Sequence, residues 1–236
     1  MRKTIALTLL IGSRLAVAQD PTQILKDNYT LDFDNDFVRV IRVRYRPHEK
    51  LPTHDHPKTP TVYVYLTDAG PVRFKHMGPK PFELERRAVR SGGIRLSPGF
   101  VETHEVENVS DTTSEFLRVE LKKVPLRQAS LKGRFQPSAA PQKAKVEFDD
   151  ANLRIIRIVC GVHEKCQSLA SLRPAMEIAL SPATVRAGTS LKDTSEISLK
   201  AGQVRWIEPH RASVLENIGA APASLLRIEF KARPRT

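Results

Sequence analysis

The chain repeats itself, so its fold is built twice. Residues 32–50, DFDNDFVRVIRVRYRPHEK, align without a gap to 147–165, EFDDANLRIIRIVCGVHEK, with 8 identities in 19 positions. Further on, 92–108 aligns to 201–217, sharing Gly93/Gly202, Glu107/Glu216 and Asn108/Asn217, and FLRVELKK at 116–123 answers LLRIEFKA at 225–232. The offset falls from 115 to 109 between these blocks, so the second copy is six residues shorter there. Self-similarity of this kind marks duplicated structural units. Each copy spans roughly 90 residues, near the low end for an independent domain.

Within each copy the apolar residues alternate, which is the period of a strand and not of a helix. Strands are expected at 37–45, 52–56, 61–67, 71–75, 84–89, 93–97, 103–107 and 115–122, with counterparts in the second copy. Short strands broken by Gly and Pro turns suit a jelly roll, so the chain reads as all-β, two tandem barrels. Residues 124–145 carry Pro137-Ser138-Ala139-Ala140-Pro141 and no apolar periodicity, and read as a linker between a module at 32–123 and a module at 146–232. Residues 19–31 form an N-terminal extension.

Residues 1–18 run from Met1-Arg2-Lys3 through an apolar stretch to Ala16-Val17-Ala18, the order of a secretory signal peptide with cleavage after Ala18. Arg14 interrupts the apolar run, which is too short for a membrane span. The protein is therefore expected to be secreted or periplasmic. Removing Arg2, Lys3 and Arg14 takes the formal charge from +12 to +9. The remaining basic residues are dispersed, as in Val38-Arg39-Val40-Ile41-Arg42-Val43-Arg44, where the arginines read as solvated outward positions. No Lys/Arg run with interleaved aromatics points to nucleic acid.

Chemistry concentrates in the first copy. Pro52-Thr53-His54-Asp55-His56-Pro57 puts two imidazoles two residues apart, hence on one face of a strand, where they can chelate one ion. His104 supplies a third imidazole on a later strand. Neutral imidazoles suit Fe, Mn, Ni, Cu or Zn, and three protein ligands leave positions open for water or substrate. The other reading is that the three are polar pocket residues.

These segments resemble the paired motifs of the cupin superfamily: His54 and His56 match the His-x-His of the first motif, and Gly92, Pro98, His104 and Asn108 match the second. The resemblance implies a divalent-metal site at His54, His56 and His104 in a barrel of the cupin type. The departures are specific. The glycine that opens the first motif is His48 here and His163 in the repeat, read as a shared structural turn. The family's glutamate ligand should fall at 60 or 61, which are Pro60 and Thr61. One extra residue between Pro98 and His104 predicts a bulge or a looser loop before the ligand strand. Glu102, two before His104, is the candidate fourth ligand or general base, with a solvated loop carboxylate as the other reading. Tyr63 and Tyr65 read as core or wall residues, and His76 stands in a turn with no role assigned.

By the same register Leu169, Ser171 and Ser213 replace the three histidines in the second copy, leaving His163 and His210 with no chelating partner. That module is read as degenerate and structural, with Trp206 and Met176 filling core space. Both cysteines lie there, in Cys160-Gly-Val-His-Glu-Lys-Cys166, flanking the shared turn; export predicts a Cys160–Cys166 disulfide, two buried thiols or a soft-metal pair being the alternatives. The fold cannot name a reaction. The expectation is an exported metal-binding protein, either a metal-dependent small-molecule enzyme of oxygenase or isomerase type or a non-catalytic small-ligand-binding or structural double barrel. Its partner would be a small-molecule ligand or substrate. Pairing of barrels within one chain lessens the need for a homodimer while remaining compatible with one.

Overall fold

The computed structural model describes residues 20–122, 124–126, 131, 134–135, 143–166, 172–190, 193–209 and 214–231. The signal sequence expected at 1–18, most of the expected linker, and Leu169, Ser171, His210 and Ser213 lie outside the described residues. After a single helical turn at Pro21–Ile24, the first copy forms β1 (Tyr29–Asp34), β2 (Val38–Tyr45), β3 (Lys50–His56), β4 (Thr61–Tyr65), β5 (Val72–His76), β6 (Phe82–Arg86), β7 (Ile94–Ser97), β8 (Glu102–Asn108) and β9 (Ser114–Leu121). A short β10 (Arg134–Phe135) follows within the expected linker. The second copy forms β11 (Ala144–Asp149), β12 (Leu153–Cys160), β13 (Ala175–Ala179), β14 (Ala183–Ser190), β15 (Asp193–Leu199), β16 (Val204–Ile207), β17 (Val214–Asn217) and β18 (Ala223–Phe230). The result is all-β, two tandem jelly-roll barrels.

Each barrel is a pair of antiparallel sheets. In the first, β1-β2-β9-β4-β7-β10 faces β3-β8-β5-β6; in the second, β11-β12-β18-β13-β16 faces β15-β14-β17. The duplication extends to irregularities. The register of β1 on β2 shifts between Leu31 and Phe33, and that of β11 on β12 shifts between Val146 and Phe148. His48 and His163 both adopt φ 56°, the left-handed conformation glycine takes most easily, which explains why the resembled motif has glycine there.

The second repeat block needs a correction of one residue. Gly92 N–H donates to the Tyr65 carbonyl and Gly202 N–H to that of Ala179, with φ 75° and 76°. Gly92, not Gly93, is therefore the partner of Gly202, and the offset there is 110, returning to 109 by Asn108 and Asn217.

Three apolar layers hold the molecule. One fills the first barrel, with Ile41, Val43, Leu51, Val106 and Phe116 among its members. A second fills the other barrel around Ile156, Ile158, Val185 and Leu225. The third lies between the barrels: Val38, Val40, Val62, Leu117 and Val119 from one large sheet meet Leu153, Ile155, Ile178, Leu226 and Ile228 from the other. Strand β2 thus buries apolar side chains on both faces, Val38 and Val40 in the shared layer and Ile41 and Val43 inside the barrel. Met176 lies in the same layer, and Trp206 packs on it between Phe33, Phe37 and Phe230. Val124 and Leu126, just after β9, are buried there too, and β10 extends the first large sheet by pairing with β7.

Two arginines bind the barrels reciprocally. Arg42 donates to the Gly202 carbonyl at 3.1 Å, and its repeat equivalent Arg157 donates to the Gly92 carbonyl at 2.6 Å. Arg42 is held by Asp32 and Glu115, Arg157 by Glu147 at 2.8 Å. Arg42 is therefore an interface residue and not the solvated position its alternation predicts.

Cys160 and Cys166 form a disulfide with Cα atoms 5.1 Å apart, both buried, tying the end of β12 to the segment whose Cys166 N–H donates to the Leu215 carbonyl. Among the described residues no helix is long and apolar enough to cross a membrane.

Replacing Arg157 by Met removes the bond to Gly92 and leaves the Glu147 carboxylate buried without its guanidinium. Urea denaturation should show a loss of about 3 kcal/mol, most of it recovered when Glu147→Leu is added. A single-variant loss below about 0.5 kcal/mol would show that the reciprocal contact carries no stability.

Candidate metal centre

The site forms where β3 and β8 cross the first barrel. His54 pairs in register with His104, and His56 with Glu102. The register breaks between Leu51 and His54, across Pro52, which has no N–H to give the ladder. This irregularity in β3 is not expected from the sequence, which places a bulge or looser loop before β8. Ahead of β8 the extra length is taken up by Gly99 at φ 84°, where a Cβ would stand 2.5 Å from the Thr59 carbonyl carbon and 2.8 Å from Pro60 N. The loop rests directly on the Thr59–Pro60 peptide, at the first of the two positions where the family's glutamate would be sought.

His54, His56 and His104 converge. Their ring centroids are 4.8 to 5.1 Å apart, and one nitrogen from each lies within 4.8 Å of the others. No carboxylate joins this cluster among the described residues; Glu102 lines the adjoining cavity instead. All three histidines are at least 97% buried, and burial holds each imidazole in its neutral form. Desolvation pushes the His104 pKa down to about 2, helped by His54, His76 and Arg118. Desolvation, Arg118 and the other two imidazoles hold His56 well below its ordinary value, and desolvation lowers His54.

Lone pairs are accordingly available. His54 Nδ1 donates to the Pro52 carbonyl at 2.9 Å, leaving Nε2 unprotonated. A backbone carbonyl that fixes the tautomer in this way is the usual support of a metal-binding imidazole. The Tyr29 hydroxyl donates to that same Nε2 at 3.0 Å, a bond that an ion ligated by Nε2 would replace, and accepts from the Tyr45 hydroxyl at 2.8 Å. Burial raises both phenols, Tyr45 to about 12 and Tyr29 well above its usual value, so both remain donors. His104 is fully enclosed, yet neither ring nitrogen finds a partner. A divalent ion fits this donor set: it would satisfy His104 and take neutral nitrogen from all three rings.

The adjoining cavity offers about 100 Å³ to the centres of water-sized molecules. His76, unassigned from sequence, closes β5 and lines this cavity, stacked on Phe82 at 4.3 Å with its centroid 5.2 Å from His104. Tyr29, Arg86, Arg95 and Arg118 also reach it, as does Tyr63, whose hydroxyl accepts from Arg118 at 3.2 Å. Tyr29 precedes the first identical residues of the repeat; only running the 115 offset back to its equivalent, Ala144, brings it into the barrel. In the second barrel His163 lies in the left-handed turn.

No protein-family model matches the chain, and no curated protein matches at the threshold applied. Solved structures do. The protein YhaK from Escherichia coli superposes with a TM-score of 0.57 at 14% identity, over 87% of this chain and 92% of its own. An oxalate decarboxylase from Lactobacillus farciminis, in a formate complex, gives 0.53 at 13% identity, over 85% and 78%. A cupin 2 conserved barrel domain protein from Leptotrichia buccalis gives 0.50 at 10%, over 86% and 88%. The chain has the cupin fold. At these identities the likeness is one of fold, and the two cupin barrels of this chain are matched together.

Because the imidazoles stay neutral when folded, acid should destabilise the metal-stripped protein. Above pH 6.5 neither state protonates them. As pH falls from 6.5 towards 2, the unfolded chain gains a proton that folded His104 refuses, and stability drops by ~1.4 kcal/mol per pH unit on account of His104. Denaturation of chelator-dialysed protein from pH 7 to 5 should show this slope, and His104→Phe should flatten it. Equal slopes in the two proteins would contradict the assignment.

Proposed function

We propose that the first cupin barrel is a divalent-metal centre of a metal-dependent small-molecule enzyme that acts in the periplasm or outside the cell. The observation that carries this is the convergence of three buried, neutral imidazoles, one of which has no other partner for either nitrogen. His54, His56 and His104 would hold Fe(II), Mn(II), Ni(II), Cu(II) or Zn(II). A bound ion supplies Lewis acidity and open coordination positions beside the cavity.

The remaining roles belong to the chain itself. The Pro52 carbonyl orients His54 through Nδ1, and the Tyr29–Tyr45 hydroxyl pair stands beside its Nε2, where an ion would take the place of the Tyr29 proton. Glu102, at the cavity wall opposite His56, is placed to take a proton from a ligand or to act as fourth ligand. Phe74, Phe116 and Leu84 add apolar surface to the cavity lining. The second barrel serves as a structural partner. Residues 1–18 and the Cys160–Cys166 bridge both support export, since disulfides persist in oxidising compartments. A formate complex is known for one structural neighbour, an oxalate decarboxylase, and a small ligand beside the metal is consistent with that precedent.

Elemental analysis of protein purified without chelator should find about one ion per chain, and His54→Ala/His104→Ala should lose it. Equally little metal in both proteins would sink the metal reading. If metal is present, oxygen uptake and product analysis over a panel of dicarbonyls and phenols separates catalysis from capture: ligand binding without turnover favours the non-catalytic reading.

A further inference from the structure

The second barrel is an internal control for the first. Strand pairing fixes which residues are equivalent. Tyr63 lies between Arg118 and Arg95 across the first large sheet, and Glu177 lies between Arg227 and Arg205 across the second. Arg86 and Asn108 flank Val72, and Ile197 and Asn217 flank Val185, so Arg86 corresponds to Ile197.

The second barrel neutralises itself at these positions. Glu177 pairs with Arg227 at 2.9 Å and with Arg205 at 3.6 Å, and Glu229 takes the other side of Arg227 at 3.2 Å. In the first barrel a phenol replaces that central carboxylate and a guanidinium replaces the isoleucine, making its interior two charges more positive at these two positions. Arg118 keeps Glu120 at 2.8 Å. Arg95 has no carboxylate within ion-pair distance; its guanidinium lies over the Tyr63 ring at 3.8 Å, and its Nε is buried without a partner.

Arg86 is the more exposed to this argument. It is only 4% accessible, lines the cavity, and sits among the rings of Tyr65, Phe74 and Phe116 at 5.2 to 5.8 Å. Among the described residues it donates one hydrogen bond, to Ser114 Oγ at 3.0 Å, its Nε has no partner, and no carboxylate pairs with it. Enclosing a guanidinium this way costs several kcal/mol unless an anion compensates. Glu102 is the acidic side chain in the cavity wall, facing Arg86, Arg95 and Arg118.

We propose that the first barrel binds a small organic carboxylate, its anionic group taken by Arg86 and Arg95 and its carbon skeleton by Phe74, Phe116 and Leu84. This deepens the small-molecule reading of the same site. The apolar wall beside the guanidiniums favours an organic anion over an inorganic one, and the position of Tyr63 is where the protein omits the carboxylate that its other barrel supplies from within.

Calorimetric titration of the full chain with acetate, benzoate and phenylacetate, against neutral benzamide and inorganic phosphate, tests this, with metal content measured on the same samples. At least one carboxylate should bind saturably and more tightly than benzamide or phosphate. Arg86→Met should weaken it at least tenfold with metal content unchanged. Tyr63→Glu, which restores the second barrel's arrangement, should do the same. Circular dichroism confirms that each variant is folded. No saturable carboxylate binding, equal binding of benzamide or phosphate, or binding indifferent to both substitutions overturns the proposal. Loss of metal from wild type with Arg86-dependent carboxylate binding intact overturns the metal reading alone.

Discussion

Everything in this structure depends on the apolar layer between the two large sheets. Either barrel alone would expose a broad face of Val, Ile and Leu. Joined, the faces form a continuous core, and the paired arginines at its margin select one alignment: each reaches a carbonyl in the other barrel's glycine turn. A hydrophobic layer is indifferent to small slides, whereas directional bonds are not. The combination gives both strength and register. It also leaves the interiors of the two barrels independent of each other, so that they could diverge in chemistry without loss of the common frame.

The divergence is one of charge and desolvation. Three imidazoles and three guanidiniums stand in or around one enclosed space, with Glu102 and Glu120 as nearby acids. The imidazoles meet this by remaining neutral, which is the state that ligates a metal. The guanidiniums cannot discharge and keep their charge inside. The second barrel, with the same strand framework, contains a compensated ionic set and a disulfide at the corresponding turn. One barrel is arranged to be complete and the other to be completed.

Much of this was legible in the sequence because it rests on local periodicity. Alternation gave the strands, the repeat gave two barrels, and the spacing of His54 and His56 with a distant His104 gave the triad. The disulfide followed from where its cysteines flank the turn. What sequence could not reveal lies across strands. Tyr29 falls before any identity in the repeat, and His76 looks isolated because its neighbour His104 comes from another strand. Arg86, Arg95 and Arg118 look like the dispersed basic residues of any strand surface; only topology turns them inward. Arg42 failed in the opposite sense, since its outward face is covered by the other barrel. A one-residue change of offset at Gly92 was invisible because two adjacent glycines score equally well.

Synthesis proceeds from the N-terminus, so the ligand-bearing barrel emerges before the sheet that covers its outer face exists. Until β12, β13 and β18 arrive, Val38, Val40, Val62 and Val119 have nothing to rest against. Biogenesis of this protein therefore includes an interval in which a nearly formed barrel is adhesive. The chain must be protected during that interval, or kept unfolded until it is whole. A nascent product cut short after β9 would carry all three clustered histidines and be the form most prone to aggregate.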